Sequence, residues 1–269
     1  MAGTNKKDQR REARERLRAE RAAAARKARL RGRLLVGGSL AAVLALAVGI
    51  GAYAANRSDG HDPDPEAAGK PFVRPAHTSG PDGVVVPYGK ADAEHVLTVW
   101  LDPRCPYCAG VENGLGATFK EQADAGTYRI EYRFATFLDG ALGGKGSKRA
   151  LNALGAAVNE SPEKFLAYLR VLYANHPQNE SEDTFGSTAT LLELADQVPG
   201  LRTPAFNKAV KELTYLPWVE KTGKAFYDSG EKGTPALYLD GKKLQANSGE
   251  GISSIPVPQW KKLVTDTLK

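Results

Sequence analysis

Read from the N-terminus, the hydrophobic pattern changes character three times. Residues 1–33 are polar and basic, with no sustained apolar period. Residues 34–55, LLVGGSLAAVLALAVGIGAYAA, then give 22 positions without a charge. At about 1.5 Å per helical residue this run is long enough for the roughly 30 Å hydrocarbon core of a bilayer. It also lacks the polar face that a helix buried in a globular core presents, so the pattern predicts a transmembrane helix over 34–55. Residues 56–83 are dominated by Pro, Gly, Asp and Ser, which predicts an extended linker; His61 and His77 read as solvated linker residues.

From residue 84 onward the patterns are those of a folded domain. HVLTVWL (95–101) is a short apolar run closed by Asp102-Pro103, a buried strand. Residues 105–125 read as a helix, and TYRIEYRFATFL (127–138) alternates as a second strand. Helical spacing follows over 146–159, 161–175, 188–198, 204–213 and 217–228, with Ser161-Pro162-Glu163 supplying an N-cap and a proline at the first helical position. GTPALYLDGKKL (233–244) reads as strand, Asp240-Gly241 turn, strand. A last helix covers 257–268, with Trp260, Leu263 and Leu268 on one face. The order predicts an α/β unit over 84–269, its two halves separated by a helical insertion over about 145–230.

Charge sharpens the N-terminal picture. The chain carries a formal +6, but 13 Lys and Arg against four Asp and Glu fall within residues 1–33. The remainder holds 24 basic and 27 acidic side chains, so the folded part offers no phosphate-binding field and nucleic acid is not an expected partner. A basic segment before an apolar span marks its cytoplasmic side. A cytoplasmic, disordered segment 1–33, a single-pass span at the cell membrane and an extracytoplasmic body are therefore expected. The alternative is a signal peptide cleaved after Ala54, for which Ala52-Tyr53-Ala54 has the small-residue pattern; both export the body. Asn56-Arg57-Ser58 and Asn179-Glu180-Ser181 fit the glycosylation pattern, relevant only in a host that glycosylates.

Export gives meaning to LDPRCPYC (101–108), which contains both cysteines of the 269-residue chain. Disulfides persist outside the cytosol, but a single possible bridge is not a stapled scaffold. A structural clip closing so short a loop contributes little. A zinc site lacks a second ligand pair among His61, His77, His95 and His176, so no metal is expected. The redox reading fits the setting. The first strand ends, Asp102-Pro103-Arg104 turns the chain, and Cys105 falls at a helix start, where backbone N–H groups and the helix dipole favour a thiolate and lower its pKa. Arg104 alongside adds positive charge, Pro106 suits the first helical turn, and Cys108 follows one turn later on the same face. Cys105 is then the attacking thiol and Cys108 the more buried resolving thiol. Trp100 is expected to pack; Tyr107 is left between packing and a peptide groove.

A second signal lies far downstream. Gly233-Thr234-Pro235 precedes the strand ALYLD, where proline is compatible with a strand entrance or a cis bond in a tight turn. Strand–CPYC–helix followed by Thr-Pro-strand-Asp-Gly-strand-helix resembles the thioredoxin superfamily. The 126 residues between Cys108 and Pro235 exceed a bare thioredoxin and resemble its DsbA-like branch, thiol–disulfide oxidoreductases; VWLDPRCPYCAG is similar to the membrane-anchored members of high-GC Gram-positive bacteria. The resemblance covers roughly 84–269. It implies a thioredoxin-like fold, Cys105 as nucleophile and Cys108 as its partner, and no cofactor beyond that redox-active pair. It further implies that Pro106 and Tyr107 tune the potential, that Pro235 is a cis-proline packed over the pair, and that the Thr234 backbone pairs with extended substrate. Its implied partners are reduced exported proteins and a membrane, quinone-linked protein that reoxidises the enzyme. One position departs: relatives often keep a buried acid six residues before the first cysteine, and here that residue is Val99, with Asp102 nearer but in the turn. Disulfide donation is the leading expectation; a reductase or isomerase, and an anchored binding or chaperone-like module with incidental thiols, are the alternatives.

Overall fold

The computed structural model describes residues 63–177, 179, 181–245 and 252–269. The basic segment over 1–33, the span expected over 34–55 and the start of the expected linker lie outside the described residues. Among the described residues no helix is long and apolar enough to cross a membrane.

The strands are β1 (Val86–Tyr88), β2 (Val96–Leu101), β3 (Arg129–Phe134), β4 (Ala236–Leu239) and β5 (Lys242–Lys243), in spatial order β1-β3-β2-β4-β5. Only β2 and β3 are parallel, joined by helix α1 (Pro106–Ala125); the other neighbours run antiparallel. The two central strands have their inward residues sealed: Leu97, Val99, Ile130, Tyr132 and Phe134 are all 0% exposed. The β4–β5 turn places Asp240 and Gly241 at φ 50° and 79°, the doubly left-handed pair that a tight hairpin needs and that Asp-Gly tolerates. Asp240 also accepts from Val96 N–H and lies 2.7 Å from His95 Nδ1, which fixes the hairpin tip to the start of β2.

Between β3 and β4 lie α2 (Phe137–Leu142), α3 (Gly146–Glu160), α4 (Pro162–Ala174), α5 (Thr188–Ala195), α6 (Pro204–Glu212) and α7 (Leu216–Asp228). The predicted caps are present: the Ser161 hydroxyl accepts from Lys164 N–H with Pro162 at the first helical position. α8 (Val257–Thr267) closes the chain against α1, with Trp260 buried on Phe119 and donating its indole N–H to Gln122 Oε1 at 2.8 Å. Trp218 of α7 is 0% exposed and donates to Gly83 O. Trp100 of β2 packs edge-on against Phe226, as expected for a packing residue.

Two expectations change. The strand predicted to run to 138 stops at Phe134, and the insertion begins at Phe137 rather than near 145. The strict alternation ends at Phe134, where Ala135 follows directly, and Leu138 N–H is captured by the Asp102 carboxylate instead of a ladder partner. The linker predicted over 56–83 is, from residue 63, part of the folded body. Asp64 N–H donates to Glu220 Oε1, Glu66 pairs with Lys145 and Arg149, and Ala76 N–H donates to Asn159 Oδ1. These ties are polar, so hydropathy did not announce them.

Candidate active site

Strand register brings the two halves of the site together. Trp100 is opposite Ala236 in the antiparallel β2–β4 pair, so the residues just before β4 face the residues just after β2. Thr234-Pro235 therefore lies against the turn that leads into CPYC, and the Thr234–Pro235 peptide is cis.

Cys105 is the N-cap of α1, its φ and ψ of −79° and 118° outside the helix. Its sulfur accepts the Cys108 N–H at 3.4 Å and, as a thiol, donates to the Thr234 carbonyl at 3.4 Å. Both cysteines are free thiols, 4% (Cys105) and 0% (Cys108) exposed. Pro106 is the first helical residue and exposed, and Tyr107 is half-buried. Burial pushes the Cys108 thiol well above its ordinary range, and Cys105 beside it adds to the rise; the Thr234 hydroxyl and the Asp102 backbone oppose it. The two sulfurs thus stand in different environments: Cys105 at a helix start under a carbonyl, Cys108 in the interior.

The turn before Cys105 is braced from the insertion. Asp102, 0% exposed, accepts from Arg104 N–H (3.0 Å), Leu138 N–H (3.3 Å) and the Ser147 hydroxyl (2.6 Å). Its backbone carbonyl accepts from Cys105 N–H and from the Tyr173 hydroxyl. Burial nonetheless raises its carboxyl to about 7, against the hydrogen bond from Ser147 and with Asp139 adding repulsion. Asp139 caps the first turn of α3, accepting from Ser147 and Lys148 N–H groups. The Arg104 guanidinium donates to Asp139 Oδ1 at 3.0 Å and to Gly143 O at 2.6 Å. Arg104, expected to tune the thiol, is thus committed to the insertion and holds the turn. His176 adds a further tie, its Nε2 2.8 Å from the Arg104 carbonyl oxygen.

Of the residues singled out in the sequence, Cys105, Cys108, Thr234 and Pro235 converge, and Pro106 and Tyr107 lie beside them. Val99 is buried and apolar, so the position six residues before Cys105 holds no acid. Sequence reasoning passed over Ser147, Asp139, Tyr173 and Glu112. The last carried a signal: Cys105, Cys108 and Glu112 are spaced three and four apart, one helical face.

A family model described as Thioredoxin matches residues 81–255, well over half of the chain. The chain belongs to this thioredoxin family. No curated protein sequence matches it. Among solved structures it is similar to MdbA, a thiol-disulfide oxidoreductase from Actinomyces oris, with a TM-score of 0.58 at 18% identity, over 77% of this chain and 97% of that one. It is similar to BdbD from Bacillus subtilis at TM-score 0.57 and 19% identity, over 73% and 97% of the two chains. It is also similar to DsbA from Mycobacterium tuberculosis at TM-score 0.52 and 21% identity, over 68% and 98%. The fold is therefore the thioredoxin-like fold with a helical insertion that DsbA-like thiol-disulfide oxidoreductases have, as the CPYC and Thr-Pro motifs led one to expect.

Proposed function

We propose that this protein is an extracytoplasmic thiol–disulfide oxidoreductase, anchored by the apolar span over 34–55, which donates disulfides to exported proteins. The observation that carries the reading is the Cys105 sulfur held between the Cys108 N–H and the Thr234 carbonyl. In the oxidised enzyme a substrate thiolate attacks Cys105, the Cys105–Cys108 bond breaks, and Cys108 leaves with its electron pair. A second substrate thiolate then attacks the substrate sulfur of the mixed disulfide. The substrate gains a disulfide, and the enzyme is left with two thiols and two more electrons. Once Cys105 is a thiolate it no longer donates to the Thr234 carbonyl, which is then open to an N–H of an extended substrate segment. A membrane, quinone-linked partner that returns the pair to the disulfide completes the cycle; the export context and the thioredoxin-like fold support this part of the reading.

Oxidative refolding of a reduced, scrambled test protein, run beside insulin reduction, tests the proposal. The wild-type chain is expected to restore activity to the test protein and Cys105→Ser to be inactive. Equal behaviour of the two chains overturns the redox reading. The Cys105–Cys108 potential, measured against glutathione, decides direction within the fold's range of about −270 to about −120 mV: a value near the reducing end removes disulfide donation and favours a reductase.

A further inference from the structure

His176 is held at both nitrogens of its ring. It follows helix α4 by two residues, its backbone N–H bonded to Tyr173 O at the end of that helix. Nε2 lies 2.8 Å from the Arg104 carbonyl oxygen, and Nδ1 lies 2.9 Å from Pro177 O. Both partners are carbonyls, which only accept. A neutral imidazole carries one N–H, so one of its nitrogens would turn a lone pair on a carbonyl oxygen. Only the imidazolium, with two N–H groups, satisfies both contacts. The end of α4 favours that cation, because carbonyls without helical partners collect there.

The contact lies one peptide bond from the redox pair. The Arg104 carbonyl belongs to the peptide whose N–H is that of Cys105, and this N–H closes the turn onto Asp102 O at 2.9 Å. Tyr173, three residues before His176, donates its hydroxyl to the same Asp102 oxygen and is within electrostatic reach of both sulfurs. The end of α4 thus grips the turn at two carbonyls, Asp102 O and Arg104 O. The carboxylates around this turn are engaged elsewhere. The Arg104 guanidinium faces Asp139 at 3.0 Å and Asp183 at 3.6 Å, and Asp102 accepts from Arg104 N–H, Leu138 N–H and the Ser147 hydroxyl. Among the described residues, no carboxylate is bonded to the His176 ring. The ring is half-buried and edge-on to Phe185, so its proton exchanges with solvent.

We propose, resting on the redox reading above, that His176 is a positioning residue for the redox pair. As the imidazolium it holds the Arg104 carbonyl and sets a positive charge one peptide bond before Cys105, which favours the reduced pair. When two glutathione thiols reduce the pair, the Cys105–Cys108 bond breaks and glutathione disulfide forms. Cys105 keeps an electron pair as the thiolate, Cys108 takes one proton, and the other proton goes to solvent. The imidazolium stabilises this charged product over the uncharged disulfide. Loss of its proton removes the charge and one of the two hydrogen bonds. The pair is therefore more oxidising while His176 is protonated, over and above the pH dependence of the thiols themselves.

The equilibrium of the full-length chain with reduced and oxidised glutathione, at about pH 6 and about pH 8.5, on either side of the ordinary histidine range, tests this. His176→Gln keeps a neutral donor where Nε2 stands and removes the charge. The thiols are common to both chains, so the ratio of their equilibrium constants isolates His176. At about pH 6 the wild type is expected to be about fivefold more oxidising than the variant, about 20 mV for a two-electron couple. At about pH 8.5 the two are expected to agree within about 1.5-fold. A ratio that is the same at both pH values overturns the inference. By reciprocity, reduction of the pair is expected to raise the pH at which His176 loses its proton by the same factor, about 0.7 pH unit. The ¹⁵N spectrum of the imidazole nitrogens, recorded on the oxidised and the reduced wild-type chain, reads this without any substitution and decides the matter if the Gln variant does not fold. Equal midpoints for every histidine in the two forms overturn the inference. A chain that does not exchange with glutathione at all overturns the redox reading and this inference together.

Discussion

The Ser147 hydroxyl stands 2.6 Å from Asp102 Oδ1, joining the first turn of α3 to the turn that delivers Cys105. This contact couples the insertion to the redox pair. Its loss in Ser147→Ala leaves Asp102, fully buried, with one acceptor site unfilled. The expected cost is about 1–3 kcal/mol of unfolding free energy. The bond favours the charged carboxylate, so the loss is expected to be larger at alkaline than at mildly acidic pH. Denaturant unfolding at the two pH values measures it.

Stability itself is expected to fall as pH rises from about 4 to about 7. Burial raises Asp102 and Glu112 to about 7 from ordinary values of 3.8 and 4.5. Between those limits the folded chain binds more protons than the unfolded one, so unfolding releases them and higher pH favours unfolding. At about 1.4 kcal/mol per unit, this is roughly 4 kcal/mol for Asp102 and roughly 3 kcal/mol for Glu112 in this direction. The carboxylates shifted downward, Glu66, Asp124, Asp240 and Asp266, act in the opposite sense and only at lower pH, and they lie near the surface. Glu112→Gln is expected to flatten the pH dependence of unfolding between about pH 4 and 7 and to stabilise the chain at alkaline pH. An unchanged slope contradicts this.

Removing the Arg104 charge is expected to be severe. Arg104 and Asp139 are 2% and 6% exposed, so Arg104→Met strands a buried carboxylate. The expected loss is about 3–5 kcal/mol, and the double substitution Arg104→Met, Asp139→Asn is expected to recover part of it, because the more deeply buried of the two carboxylates paired with Arg104 is then neutral; Asp183, 3.6 Å from the guanidinium, has a side chain 34% exposed and keeps its N–H donors. A double-mutant cycle on unfolding free energy gives the coupling.

Gly146→Ala tests how tightly the same cluster is packed. A Cβ at this position would lie 2.5 Å from Asp183 Oδ1 and 2.9 Å from Arg104 Cδ. The carboxylate of Asp183 is fixed by the Lys145 and Gly146 N–H groups. A loss of about 1–3 kcal/mol is therefore expected in thermal or denaturant unfolding.

What the sequence showed and what it hid divide along a physical line. β2, α1, the Asp240-Gly241 hairpin and most of the insertion helices are specified by local period, caps and turn residues, and each lies within a few residues of where those signals put it. The Cys105–Thr234 contact was legible because two short motifs carry it, although they are 129 residues apart. The helix Phe137–Leu142 was not, because its six residues, FLDGAL, are too few to show a helical period and follow closely on an apolar strand; capture of Leu138 N–H by Asp102 starts the new element. The fold of residues 63–83 was hidden because ion pairs and backbone hydrogen bonds, not apolar periodicity, hold the described part. Glu112 was hidden for the opposite reason: a glutamate on a helix ordinarily faces water, and only the packing of β3 and α4 against α1 removes it.

The three tryptophans of the chain are distributed one to each structural region: Trp100 in the central sheet, Trp218 in the insertion and Trp260 in the closing helix. They are 5%, 0% and 0% exposed. Each is therefore a separate built-in fluorophore. Chains that keep one indole at a time, the others replaced by phenylalanine, make it possible to watch by emission colour whether the sheet bearing the redox pair, the inserted helices and the C-terminal helix come apart together or in sequence.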